Sequence, residues 1–173
     1  TRALSEVMLI DAAHLQEEEA NFANKHSFSR HQPALPLYTV EDARAAVALM
    51  RPVEFDHRID VAKGLAARWR PNGHMLGSAM IEVAHEGTTI VFSGDVGRPN
   101  DPLMRPPVAI EAADYLVLES TYGNRLHPPS DPMSELHAVV DRTVARGGIV
   151  LIPAFAVGRV QGILYYLYQL KKQ

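Results

Sequence analysis

Apolar residues fall near one face over residues 1 to 25, at Leu4, Met8, Leu15 and Phe22, with Glu17, Glu18 and Glu19 set toward solvent. That period predicts an amphipathic helix. The stretch SFSRHQPALPLY carries Pro33 and Pro36 and reads as extended or looped. Thr39 with Asp42 three residues on forms a capping-box pattern, opening a helix over 40–50 that Pro52 stops. Residues 52–70 then alternate imperfectly, with Val53, Phe55, Ile59 and Val61 as strand-like positions. AMIEVAHEGTTIVFSGD is the clearest hairpin. Met80, Glu82 and Ala84 share one face, Ile81 and Val83 the other, Gly87 serves the turn, and Ile90 to Phe92 return.

Farther on, VGRPNDPLMRPP is turn chemistry, and DYLVLEST predicts a short buried strand ending in polar residues. A proline-rich connection leads to a helix capped by Ser130 or Asp131, with Pro132 in its first turn and Gly147 and Gly148 at its end. IVLI at 149–152 predicts an apolar strand. PAFAVGRV breaks it, and Val160, Ile163, Leu164, Leu167 and Leu170 predict a helix over 159–171. Helix, Gly-Gly, strand, loop and helix make an α/β unit, whereas the earlier part is hairpins flanked by helices. The expected boundary lies near 124–134, giving domains 1–124 and 125–173.

Composition narrows the class without naming it. The 173 residues include 47% hydrophobic positions, enough for a core. Lys plus Arg number 17 against 20 Asp plus Glu, a formal charge of −3, which does not advertise nucleic-acid binding but leaves room for a local basic patch. There is no cysteine, so disulfides and thiolate metal sites are excluded and any metal falls to His, Asp or Glu. No run of 18 apolar residues suggests a membrane span, and no signal peptide is visible. A cytoplasmic protein is the expectation. The chain starts on Thr1 within a periodic pattern and closes on KKQ just after a helical one, which reads as part of a longer polypeptide.

His74 stands in the loop GHMLGSA, where the preceding glycine allows close backbone approach. Asp95 follows the strand IVFSG. The two sit at opposite ends of the hairpin 79–93, and a hairpin returns the chain to its starting edge. Imidazole and carboxylate are therefore expected side by side, a donor pair suited to zinc, manganese or iron. Two ligands are fewer than the three protein ligands of a catalytic zinc. The ordinary alternatives are a hydrogen-bonded histidine and an Asx-turn.

Glu119 ends the next strand. If the two strands are neighbours, it opens on the same edge as Asp95, placed to orient a histidine or shuttle a proton. A cap or a salt bridge to Arg125 is its plainer role. Arg159 opens the last helix, where backbone amides favour anions, and Arg98, Arg125 and Arg159 together offer a phosphate-binding rim. An Arg–Glu link between domains is the alternative for Arg159. His14 shares a helix face with Asp11 and is expected to pair with it. His85 belongs to the exposed hairpin turn. No HxH or HExxH spacing occurs, and no Walker pattern indicates a nucleotide site.

DAAHLQEEEANFANKH, ALPLYTVEDA, GHMLGSA, FSGDVGR, LVLESTYGNR and GGIVLIPAFAVGRVQGILYYL occur in this order. The set resembles the β-CASP branch of the metallo-β-lactamase-fold hydrolases. These are RNA-processing nucleases similar to the subunit that cleaves mRNA precursors at their 3′ end and to its bacterial and archaeal relatives. The resemblance covers almost the whole chain. It implies an α/β fold, part of a four-layer αββα sandwich, with the beginning of an inserted Rossmann-like β-CASP domain.

The resemblance also implies two zinc ions, His74 as a metal ligand, Asp95 as the bridging ligand, and Glu119 as the acidic residue assisting proton transfer. It implies single-stranded RNA as substrate, with DNA as the alternative, no membrane, and a homodimer in keeping with the family's frequent dimers. Arg159, with Arg98 and Arg125, would touch phosphate. The family's HxHxDH motif would precede residue 1 and two further histidines would follow residue 173. This chain alone holds a minority of the ligands and is expected to be inactive. A small-molecule metallo-hydrolase of the same fold and a non-catalytic RNA-processing scaffold are the alternatives.

Overall fold

The computed structural model describes residues 2–126 and 131–172. They form two compact units, one ending at Glu54 and one starting at Phe55. In the first, α1 (Arg2–His26) packs on α2 (Val40–Leu49). Thr39 caps α2 as its spacing predicts. Its side chain accepts the Asp42 N–H while the Asp42 carboxylate accepts the Thr39 N–H at 2.9 Å. The buried face of this pair is not the predicted one. Ala13, Ala20 and Ala23 meet a partner face carrying Ala43 and Val47, whereas Met8, Leu15 and Phe22 are exposed. Small side chains let the helix backbones approach closely, and that approach selects the contact over the larger residues elsewhere on α1. Glu17 sits beside this seam, half-buried, and its Oε1 accepts the Val40 N–H at 3.4 Å rather than facing solvent.

The second unit carries one sheet in sequence order, β1 (Arg58–Ala62), β2 (Leu65–Pro71), β3 (Ala79–His85), β4 (Thr88–Phe92) and β5 (Tyr115–Val117). The first four are antiparallel and β5 runs parallel to β4. Glu86 and Gly87 both take positive φ, 46° and 81°, the two-residue turn that matches strand twist and pins the β3–β4 register. Arg68, Glu82, Val91 and Leu116 lie in one row across β2 to β5. Val91 is fully buried, and Ala66 and Met80 on the same face are nearly so. Glu82, buried in this row, is held between two guanidiniums. Arg68 Nε reaches its Oε2 at 2.5 Å and Arg70 Nη1 its Oε1 at 3.0 Å.

Two strand expectations change. β5 exists, but its three residues are exposed rather than buried, because among the described residues no element besides its neighbour β4 packs against this edge strand to cover its faces. Residues 149–152 form no strand. Ile149 and Leu151 are 85% and 87% exposed, and an apolar run becomes a strand only when a neighbour takes its backbone hydrogen bonds. The predicted helix–strand–helix unit is thus a pair of helices, α3 (Pro132–Val144) and α4 (Arg159–Lys171), in mutual contact. Asp131 caps α3, accepting from Met133 and Ser134, with Pro132 in the first turn. Ser130, the other cap candidate, lies outside the described residues, as does His127. Among the described residues no helix is long and apolar enough to cross a membrane.

The observed architecture is mixed α/β with a five-stranded sheet and four helices among the described residues.

Candidate metal centre

Sheet topology gathers three loops at one end. The β2–β3 connection, residues 72–78, opens where Pro71 faces Ala79. β3 runs away from that end and β4 returns to it, so the segment after Phe92 emerges beside the connection. β5 is parallel to β4, with Val117 opposite Phe92, and its continuation leaves at the same end. His74 is on the first loop, Asp95 on the second and Glu119 on the third.

Glycines allow the first two loops to touch. Gly73 takes φ 73°, and a Cβ there would lie 2.6 Å from the Arg105 carbonyl oxygen. A Cβ on Gly97 would stand 2.0 Å from the carbonyl of Gly73 and 2.6 Å from the nitrogen of His74. Backbone meets backbone here, so side chains are excluded on both strands of the contact. The Gly97 N–H donates to the Asn72 carbonyl oxygen at 2.8 Å across the same gap.

The predicted convergence of His74 and Asp95 is present. Nε2 of His74 stands 3.6 Å from Oδ2 of Asp95, with side chains 40% and 72% exposed. Glu119 joins them through the backbone. Its Oε1 accepts the Val96 N–H at 2.5 Å, and its own N–H donates to the Ser93 hydroxyl at 3.1 Å. The Val96 amide, and after it the Thr121 side chain, hold the Glu119 carboxyl below its ordinary value, with the nearby His74 adding to the effect. Glu119 is therefore an ionised acceptor at neutral pH, fixed to the loop that presents Asp95.

Asn72 is the member of the site that sequence reasoning missed. It is 2% exposed. Its Nδ2 donates to the carbonyl oxygens of Ser93 at 3.0 Å and Asp95 at 2.9 Å. Its Oδ1 accepts from the His74 N–H at 3.3 Å and from the Ser78 hydroxyl. An asparagine before a glycine reads in sequence as a turn residue, and only the fold shows that its partners lie 21 and 23 residues away.

The donor pair fits a small divalent cation. Two ligand atoms about 2.0–2.2 Å from one tetrahedral ion lie about 3.3–3.6 Å apart, which the observed 3.6 Å matches. Among the described residues no group of three or more His, Asp or Glu side chains gathers to hold a metal. Imidazole and carboxylate make two donors, fewer than the three protein ligands that a catalytic zinc takes.

The arginines are not drawn into this constellation. Arg98 is exposed three residues beyond Asp95, and Arg125 is exposed in the turn after Glu119. Among the described residues neither forms an ion pair with Glu119. Arg159 is the first residue of α4, its guanidinium carbon 5.5 Å from the ring centre of Phe155. His14 pairs with Glu18 at 3.4 Å and not with Asp11, since the i,i+4 partner lies directly above it on the helix. His85 closes β3, exposed, with Nδ1 2.9 Å from the Gly64 carbonyl oxygen.

No family model matches the chain. Curated proteins do. Ribonuclease TTHA0252 of Thermus thermophilus is 37% identical over 134 residues, which is 77% of this chain and 31% of that protein. Endoribonuclease YSH1 of Eremothecium gossypii is 36% identical over 133 residues, 76% of this chain and 17% of the relative. Cleavage and polyadenylation specificity factor 73 of Drosophila melanogaster is 35% identical over 133 residues, 76% of this chain and 19% of the relative. The chain is homologous to this group of ribonucleases and spans less than a third of the length of each of these relatives.

Proposed function

We propose that the chain is part of a zinc-dependent nuclease of the β-CASP, metallo-β-lactamase-fold kind that hydrolyses phosphodiester bonds of single-stranded RNA during RNA processing. The observation that carries this reading is the 3.6 Å approach of His74 to Asp95 at the mouth of three loops, within a sequence homologous to ribonucleases. In this reading residues 1–124 are part of the αββα sandwich, and residues 125–173 begin the inserted domain.

His74 and Asp95 are the metal ligands supplied here, out of a shell for two zinc ions. Zinc at such a site supplies a Lewis acid and an acidified water. Asp95 brings negative charge that favours the cation. Glu119, ionised and tied to Val96, accepts a hydrogen bond from the proton-carrying group and orients it. Arg98, Arg125 and Arg159 contact phosphates, where a guanidinium offers paired donors. The chain by itself, with two ligands, is inactive.

The test is Asp95→Ala in the complete protein. Zinc content by elemental mass spectrometry and cleavage of a labelled single-stranded RNA are read together. Loss of bound zinc with a fall in turnover of at least about a hundredfold is expected, given what removing charge stabilisation costs at such sites. Full zinc content with unchanged turnover would remove Asp95 from the site and the reading with it.

A further inference from the structure

Asn72 makes contacts that no ordinary turn residue needs. An amide side chain offers two donors and an acceptor with two lone pairs. At Asn72 all four capacities are used, and they are divided between two loops. The acceptor side takes the His74 amide and the Ser78 hydroxyl, both on the β2–β3 loop. The donor side takes the carbonyls of Ser93 and Asp95, both on the segment after β4. Its main-chain carbonyl adds the Gly97 amide from that second segment. The side chain is almost wholly buried, so water does not substitute for these partners.

We infer that Asn72 is the positioning residue of this site, the clamp that fixes the His74 loop to the Asp95 loop and sets the separation of imidazole and carboxylate. The chemistry leaves little choice of residue. Aspartate has the same shape but would set a carboxylate against two carbonyl oxygens. Leucine has the same volume and no hydrogen bond. Glutamine would overfill a buried space, and serine would not reach both loops. The His74 and Asp95 side chains are 40% and 72% exposed, so packing around them encloses neither fully. The clamp lies behind them, in the backbone that carries them.

The inference rests on the metal-site reading only in its second measurement. Residue-resolved hydrogen exchange on the metal-free complete protein compares wild type with Asn72→Leu, Asn72→Asp and Ser78→Ala. Leaving the buried Ser93 carbonyl unsatisfied, with the half-buried Asp95 carbonyl partly relieved by water, corresponds to roughly a ten- to hundredfold population change. The amides of Val96 and Gly97 are therefore expected to exchange about ten- to a hundredfold faster in both Asn72 variants, with β3 and β4 amides unchanged. Ser78→Ala keeps the two donors and should leave Val96 and Gly97 slow.

The same comparison is then run with zinc chloride as the probe. Zinc is expected to slow exchange in both loops together in wild type and in Ser78→Ala. In Asn72→Leu that joint protection is expected to disappear, an effect that a purely structural residue would not produce in a folded sheet. Unaltered rates at Val96 and Gly97 in the Asn72 variants overturn the inference. So does acceleration spread equally through β3 and β4, because Asn72 would then hold the sheet and not the site. If zinc protects neither loop in wild type, the metal-site reading fails, while the zinc-free rates still decide the role of Asn72.

Discussion

Glu119 was legible in the sequence as a carboxylate at a strand end, but its partner was not. A strand-end acid invites an ion pair with a nearby arginine, and Arg125 is six residues on. The fold instead gives it a backbone donor from the neighbouring loop, the Val96 amide. That bond favours the charged form and depresses the carboxyl below its ordinary value of 4.5. A group whose folded pKa is depressed contributes stability that is fully present above the unfolded value and is lost as pH falls through the folded one. Stability against urea should therefore fall more steeply in wild type than in Glu119→Gln as pH drops from about 5 toward 3, and the two should show parallel dependence above pH 6. Superimposable pH profiles would show that the Val96 bond carries no charge dependence. His74 and Asp95 were readable because a hairpin's two ends must meet. Asn72 was not, because nothing in an Asn-Gly pair indicates bonds to a loop more than twenty residues away.

At the scale of elements, local chemistry was the dependable guide. The capping box at Thr39, the Asp131 cap and the Glu86–Gly87 turn each form where the residues require them. What the pattern misjudged depended on neighbours. Alternation placed Glu82 on the face of Met80 without saying how a carboxylate tolerates burial there. The register answers by placing Arg68 directly across from it and Arg70 opposite Met80. Glu82→Gln keeps the shape and removes the charge both arginines meet. Breaking a fully buried pair costs about 3–5 kcal/mol. Arg68 is 42% exposed, so solvent relieves part of this, and about 2 kcal/mol is expected from urea unfolding. A loss below about 0.5 kcal/mol would mean that the pairs are solvated surface contacts, as most exposed ion pairs are.

Across the whole molecule, the same dependence on neighbours leaves a distinct surface. Apolar runs read as buried strands in sequence because burial is where such runs are usually found. Here Tyr115, Leu116, Val117 and Leu118 are 63%, 56%, 53% and 61% exposed. They follow one another along and just past β5, whose second edge has no paired strand among the described residues. An open edge beside contiguous apolar side chains is a template for strand pairing between molecules. The isolated chain should therefore bind anilinonaphthalene sulfonate and scatter light increasingly with concentration. Leu116 is the residue to change, since it lies in the row of Glu82 and Val91 and a lysine there puts charge on the open edge. Covering the exposed half of a leucine is worth about 1–1.5 kcal/mol, so Leu116→Lys should weaken self-association about tenfold. Leu35→Lys is the control, because Leu35 is 78% exposed and lies in the other compact unit. Equal weakening by both substitutions would show that removing any exposed leucine suffices and would take the association away from the β5 edge. Weakening by Leu116→Lys only would locate it at the β5 edge, where the sheet has apolar surface and free backbone together.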